Sequence, residues 1–179
     1  MSEDRIDLSL TINGRNTGPV NVPASLSMIE FLQEYLDLSG TRFGCGVAQC
    51  RACTVIIDNP DGTSETSVTC VVPAQDFAGK SIRTIEGHAR TDEKGELQLS
   101  PVQQAFLDGF SFQCGYCTPG FVNTATVLVE RLVRSPIPRS EVEEYVVQGL
   151  NDHLCRCTGY VAYCEALRNL IMKTPGLTI

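Results

Sequence analysis

Ile6, Leu8, Leu10 and Ile12 alternate with polar neighbours, the period of a strand with one buried face. Asn13-Gly14 follows at once, a dipeptide that tolerates positive φ at both positions and so closes a hairpin toward Val20 and Val22. From Ser27 the spacing becomes helical. Met28, Ile29, Leu32, Tyr35 and Leu36 share one face, and Ser27-x-x-Glu30 supplies a capping box, which predicts a helix over about 27–36 packed on that sheet. Cys53-Thr54-Val55-Ile56-Ile57 reads as a buried β-branched strand ended by the Asn59-Pro60-Asp61-Gly62 turn. A further short strand over Val68 to Val72 is predicted to carry Cys70.

Beyond residue 100 the periodicity is helical. Ser100-Pro101-x-Gln103 combines an N-cap, a proline at the first helical position and a capping-box partner, with Val102, Ala105 and Phe106 as the apolar face. Thr118-Pro119 opens a second helix with Phe121, Ala125, Leu128, Val129 and Leu132 at helical spacing, stopped by Pro136-x-Pro138. Ser140-x-x-Glu143 is predicted to open a third helix, and Tyr160 through Met172 forms a fourth. The pattern predicts an α+β chain: a sheet domain over 1–82, a linker over 83–99 and a four-helix bundle over 100–179.

Composition narrows the chemistry. The chain has 179 residues, with 21 acidic against 14 basic side chains and a formal net charge of -7. That charge excludes the basic footprint needed to bind a phosphate backbone, so nucleic acid is not an expected partner. No stretch has the roughly 18 apolar residues of a membrane span, and the start MSEDRIDLSL has no basic region followed by an apolar one. The expectation is a cytoplasmic protein. Nine cysteines remain to be explained. An odd count without a secretory signal argues for metal binding rather than disulfides.

Cys45, Cys50 and Cys53 are spaced C-x4-C-x2-C, and Cys70 follows after sixteen residues. This is the plant-type 2Fe-2S spacing, placed after a helix and before a strand as a β-grasp ferredoxin requires. Two irons bridged by two sulfides need four thiolates, and the anionic cluster favours a loop whose N–H groups turn inward; Gly44 and Gly46 permit the dihedrals. Packed free cysteines or a structural zinc site are the alternatives. The second set, Cys114-Gly115-Tyr116-Cys117 and Cys155-Arg156-Cys157, gives C-x2-C and C-x-C, and its spacing alone suits zinc as well as iron.

GCGVAQCRACTV, SIRTIEG, QCGYCTPG and LCRCTGY stand in that order over nearly the whole chain. Together they closely resemble the small iron-sulfur subunit of the xanthine oxidase family of molybdenum hydroxylases. The resemblance implies a β-grasp ferredoxin-like domain followed by a four-helix-bundle domain, each with one 2Fe-2S cluster. It assigns Cys45, Cys50, Cys53 and Cys70 to a distal cluster, and Cys114, Cys117, Cys155 and Cys157 to a proximal one at helix N-termini, where the dipole favours negative charge. It also implies that Gln113 hydrogen-bonds the pyranopterin of a molybdenum cofactor and that Cys157 lies beside it.

The chain departs from the family pattern in two places. Arg51 stands where the family usually has glycine; it would be strained if the position needs positive φ, and the milder reading is a solvent-facing arginine that balances cluster charge. Asp152-His153 replaces a common Gly-Asn. His153 is expected to be a surface histidine, since eight cysteines already satisfy two clusters and the other histidine, His88, lies in the linker. Cys164 is expected to pack as a small core residue, and Glu141, Glu143 and Glu144 to form a solvated face.

The implied function is an electron-transfer subunit with no catalytic residue of its own. Electrons would pass from a molybdopterin centre on a large partner subunit through the two 2Fe-2S clusters to an acceptor, during oxidation of an aldehyde, a purine or other N-heterocycle, or carbon monoxide. The acceptor would be FAD on a medium subunit, a cytochrome or a quinone route. Export in the folded state with a signal-bearing partner would place it in the periplasm instead. A free-standing two-cluster ferredoxin and a zinc-stapled adaptor are the rival readings.

Overall fold

The computed structural model describes residues 4–179. Strands β1 (Arg5–Ile12), β2 (Arg15–Pro23), β3 (Thr54–Asp58), β4 (Ser64–Val68) and β5 (Ser81–Arg83) form one mixed sheet in the order β2-β1-β5-β3-β4. β1 and β5 run parallel and the other neighbours antiparallel. The alternation in β1 translates directly into burial of Leu8, Leu10 and Ile12, and Asn13 and Gly14 turn the hairpin at φ 50° and 77°. α1 (Met28–Glu30) continues as a π-helical turn over Phe31–Tyr35. Its capping box forms as predicted: the Ser27 amide donates to Glu30 Oε2 at 3.0 Å and the Glu30 amide to Ser27 Oγ at 3.4 Å. Met28, Phe31 and Leu32 close one core against Leu8, Leu10, Val22, Val55, Phe77 and Ile82.

The strand predicted over Val68 to Val72 does not form. The ladder with β3 ends at Val68, because the next residues serve α1 instead. Carbonyls of Thr69 and Val72 accept from the amides of Ile29 and Met28 at 3.1 and 2.9 Å, and the Thr69 hydroxyl donates to the Cys53 carbonyl at 2.8 Å. First-turn helix amides have no partner of their own, so the chain bends to supply one and leaves Cys70 in a bend.

Residues 83–99 contain the end of β5, a 3₁₀ turn at Ile85–Gly87 and a small antiparallel hairpin, β6 (Arg90–Thr91) with β7 (Leu97–Gln98). Four longer helices follow: α2 (Pro101–Asp108), α3 (Thr118–Arg134), α4 (Val142–Leu150) and α5 (Val161–Lys173). The Ser100–Gln103 capping box of α2 forms. That of Ser140 does not: amides of Arg139 and Glu141 bond to the Ile179 and Pro138 carbonyls, fixing a 3₁₀ turn over Arg139–Glu141, so Ser140 lies inside the turn and α4 starts at Val142 without a side-chain cap. Among the described residues no helix is long and apolar enough to cross a membrane.

α3 is buried on nearly every side, as expected of a helix at the centre of a fold. One face packs on β3 and β4, the others on α2, α4 and α5, with Phe121, Ala125, Leu128 and Leu132 in a second core. A polar seam joins helix to sheet. Asn123 Nδ2 donates to the Thr54 carbonyl at 2.6 Å while its Oδ1 lies 2.6 Å from His88 Nε2. Arg83 bridges Asp58 and Glu130 at 2.8 Å each, and the Ser64 hydroxyl donates to Glu130. Burial alone would raise the Glu130 carboxyl, but Arg83 and Ser64 outweigh it and hold its pKa below the ordinary value of 4.5.

The seam is open to two tests. Asn123→Ala leaves the Thr54 carbonyl and the His88 ring unpaired in the interior, and should lower stability by about 2–4 kcal/mol in chemical denaturation. Because the Glu130 pKa is lowered on folding, its stabilising contribution is fully present above about pH 4.5 and is lost as pH falls through the native value. The stability advantage of the wild type over Glu130→Gln should therefore shrink on acidification; an advantage that grows toward low pH would contradict the seam.

Candidate metal centres

The first cysteine set is built on a loop that coils around one sulfur. Backbone N–H groups of Val47, Gln49 and Cys50 donate to Cys45 Sγ at 3.4, 3.3 and 3.4 Å, and positive φ at Gly46, Ala48 and Arg51 turns the chain inward. The Val47 and Cys50 amides lower the Cys45 thiol to about 6. Cys50 lies beside Cys45, and its thiol is raised by burial. Cys70 lies beside Cys53 and is pushed up to about 11, by burial first and by the neighbouring thiols. Gly46 uses its freedom at φ 68°, whereas Gly44 is needed for space: a Cβ there would stand 2.8 Å from Cys50 Sγ.

The second set lies at two helix starts. Cys117 is the residue immediately before α3, and Cys155 and Cys157 occupy the segment leading into α5. Cys114 Sγ approaches Cys157 Sγ at 3.2 Å, and Cys117 faces Cys155. Burial would raise the Cys155 thiol, but the Thr158 hydroxyl at 2.9 Å and amide at 3.5 Å bring it down to about 7. Burial pushes Cys117 up to about 12. Its sulfur lies 3.7 Å from the Tyr163 hydroxyl.

In both sets the thiols therefore meet in pairs. Among the described residues no three Cys, His, Asp or Glu side chains converge on a point that would hold one ion. One tetrahedral zinc takes four ligands around a single centre, whereas a two-iron cluster takes two thiolates at each iron. Paired thiols, several of them already favoured as thiolates by N–H and O–H donors, fit the second demand. Iron would displace the remaining protons from Cys70 and Cys117.

The two sets adjoin. One cavity of about 320 Å³ is lined by Cys45 and Cys50 of the first set together with Cys114, Cys117, Cys155 and Cys157 of the second. The loops are joined directly: the Leu154 amide donates to the Cys50 carbonyl at 3.1 Å, the Tyr116 hydroxyl donates to the Phe43 carbonyl, and Arg51 reaches Asp152 at 3.3 Å. Arg51 does sit at positive φ, 58°, so the strain foreseen for a side chain there is real. Gln113 and Cys157 are both exposed, and close in sequence to Gln113 lie exposed Phe110, Phe112 and Tyr116.

His153 is not the surface histidine expected from its polar surroundings in sequence. It is 3% exposed, lies over the Phe121 ring at 4.6 Å and places Nε2 3.1 Å from Thr124 Oγ1; the turn between α4 and the cysteines folds it under α3. Burial lowers its pKa to about 4. Cys164 is half-buried against the helical core, in keeping with a packing role. Tyr163 and Thr158 touch cysteine sulfurs of the second set, yet the sequence pattern did not single them out. Thr158 does follow the C-x-C pair directly, but Tyr163 looks there like any apolar residue on a helix.

Comparison with known proteins agrees with this geometry. Residues 84–168, which contain all of the second set, match the model of a 2Fe-2S binding domain family. The nicotine 6-hydroxylase small subunit of Paenarthrobacter nicotinovorans is 35% identical over 97% of this chain and 92% of its own length. One subunit of the nicotinate dehydrogenase of Pseudomonas putida is 37% identical over 90% of this chain and 92% of its own. Aldehyde oxidase 2 of Rattus norvegicus is 31% identical over 98% of this chain, which spans only 13% of that protein. Among solved structures, quinoline 2-oxidoreductase from Pseudomonas putida 86 superposes with a TM-score of 0.74 at 32% identity, covering 97% of this chain and 93% of that one. The chain belongs to the small iron-sulfur subunits of the xanthine oxidase family of molybdenum hydroxylases.

Proposed function

We propose that this chain is the electron-transfer subunit of a molybdenum-containing oxidoreductase, holding one 2Fe-2S cluster on Cys45, Cys50, Cys53 and Cys70 and a second on Cys114, Cys117, Cys155 and Cys157. The first would belong to a β-grasp domain over about 1–82, the second to a helical domain over about 100–179. The observation that carries the reading is that cysteines of both sets line one cavity, with the Leu154–Cys50 hydrogen bond linking their backbones. When bound, each cluster accepts and releases a single electron. The chain's own part is to stabilise anionic sulfur with the amides around Cys45 and the Thr158 hydroxyl, and to hold together the loops that carry the two sets.

The second set is the one that opens toward a partner. Cys114, Cys157 and Gln113 are exposed there, and Phe110, 87% exposed, stands with Phe112 and Tyr116 in the same stretch of chain. Exposed aromatic side chains in one place mark an interaction surface. We place the large molybdopterin-binding subunit on it, with the Gln113 amide donating to and accepting from a pterin edge. The far side of the first set then faces the acceptor, FAD on a further subunit or a cytochrome. Substrates would be of the aldehyde or N-heterocycle class named by the relatives, and their chemistry would take place on the large subunit.

Two measurements test this. The isolated chain should contain about four irons and four acid-labile sulfides, and Cys117→Ser should abolish one of two distinguishable paramagnetic signals while sparing the other. Stoichiometric zinc in a colourless protein would overturn the assignment. Affinity purification at native abundance should recover a molybdopterin-containing chain, and Phe110→Asp should reduce that recovery without changing the iron content. Recovery of the iron-loaded chain alone would favour a free-standing ferredoxin.

A further inference from the structure

Tyr163 is fully buried on the first turn of α5, and its ring is held on two sides. It stacks parallel on Phe121 with centroids 4.0 Å apart and meets Phe106 edge-on at 5.0 Å. The His153 ring lies against Phe121 as well, at 4.6 Å. The hydroxyl is thereby aimed, and two groups stand within reach: Thr118 Oγ1 at 2.6 Å and Cys117 Sγ at 3.7 Å. A buried tyrosine hydroxyl needs partners, and apolar packing alone would be served as well by phenylalanine. A metal-bound Cys117 is a thiolate, which carries no proton and can only accept. Thr118 can donate to the tyrosine oxygen, which leaves the phenolic proton for the sulfur.

Hydrogen bonds to cluster sulfurs withdraw charge from them, stabilise the more negative reduced state and raise the reduction potential. The two sets receive such bonds differently. Cys45 takes its donors from backbone amides, whereas Cys155 has the Thr158 hydroxyl beside the Thr158 amide, and Cys117 lies against the Tyr163 hydroxyl. We propose that Tyr163 is a tuning residue for the second-set centre: oriented by Thr118 and locked by Phe121 and Phe106, it donates to the Cys117 sulfur and raises the reduction potential there, making that centre a better electron acceptor. The proposal rests on the cluster assignment made above and adds a specific donor to it.

The test is a redox titration of the complex as isolated, followed by paramagnetic resonance so that the two clusters are read separately. Tyr163→Phe keeps the ring stack and removes only the hydroxyl. It should shift the second-set midpoint potential downward, leave the first-set midpoint in place and retain full iron. Thr118→Val, which removes the group that orients the phenol, should shift the same midpoint in the same direction by less. An unchanged second-set midpoint in iron-replete Tyr163→Phe would overturn the proposal, as would equal shifts of both clusters. If Tyr163→Phe fails to load iron, Thr118→Val decides by the same criterion. A wild-type protein with zinc or a single cluster would instead overturn the assignment on which the proposal rests.

Discussion

Everything in the arrangement of the two thiol sets depends on how closely the start of α3 approaches the backbone at residues 51–54. Gly120 makes that approach possible, because a Cβ there would run into the Arg51 carbonyl. Asn123, one helical turn later, fastens it by donating to the Thr54 carbonyl. Since Cys50 and Cys53 flank one side of this contact and Cys117 begins the helix on the other, docking α3 onto the start of β3 brings the two sets together. Thr118-Pro119-Gly120 is therefore more than a helix start. It combines a helix-initiating proline with a residue small enough to let two ligand-bearing segments touch.

The same contact shapes the electrostatics. The chain already carries a formal charge of -7, and anionic clusters would add to it. The donors that reach the sulfurs are N–H and O–H dipoles of the backbone, Thr158 and Tyr163. Such donors suit a redox site because they are fixed by the fold and need no rearrangement when charge arrives or leaves. Around Cys45 they require three residues at positive φ, Gly46, Ala48 and Arg51, so holding the loop inward costs some of the stability gained on folding. Around Cys155 and Cys117 the hydroxyls of Thr158 and Tyr163 join the Thr158 amide, and the turn between those two residues has a strained position of its own, Tyr160 at φ 76°.

Much of this was legible in the chain. The hairpin at Asn13-Gly14, the capping boxes at Ser27 and Ser100 and the period of α3 are local signals, and each formed where periodicity and capping chemistry placed it. Three misses share a cause. The strand over 68–72 lost to a demand for carbonyl partners at the start of α1, the Ser140 cap lost to a 3₁₀ turn tied to the chain's end, and His153 was drawn inward beneath Phe121. In each case a distant segment decided the outcome, and nothing within a ten-residue window carries that information. The C-x4-C-x2-C spacing of Cys45, Cys50 and Cys53 is a local signal, whereas the spacing of Cys114, Cys117, Cys155 and Cys157 alone left zinc and iron both open. Tyr163 was not legible, because its distinction is a contact across 46 residues.

Arg51 and Asp152, which mark the two departures from the family pattern, turn out to face each other across the junction of the loops. Magnitudes decide what that pairing achieves. Their side chains are 35% and 69% exposed, and ion pairs of that exposure contribute about 0–1 kcal/mol. A left-handed arginine costs roughly 1–2 kcal/mol relative to an allowed backbone. The bridge offsets the strain at most in part, so it is not what holds the loop in shape. That task falls to the backbone: the Thr54 amide and hydroxyl both donate to the Arg51 carbonyl, at 3.2 and 2.8 Å, while Leu154 donates to Cys50 next door. Hydrogen bonds on both sides over-determine the conformation, which is the condition under which a strained residue persists. The loop's geometry is thus imposed by the segments packed on it rather than by its own sequence, and that is why the C-x4-C-x2-C arrangement tolerates an arginine at a position suited to glycine.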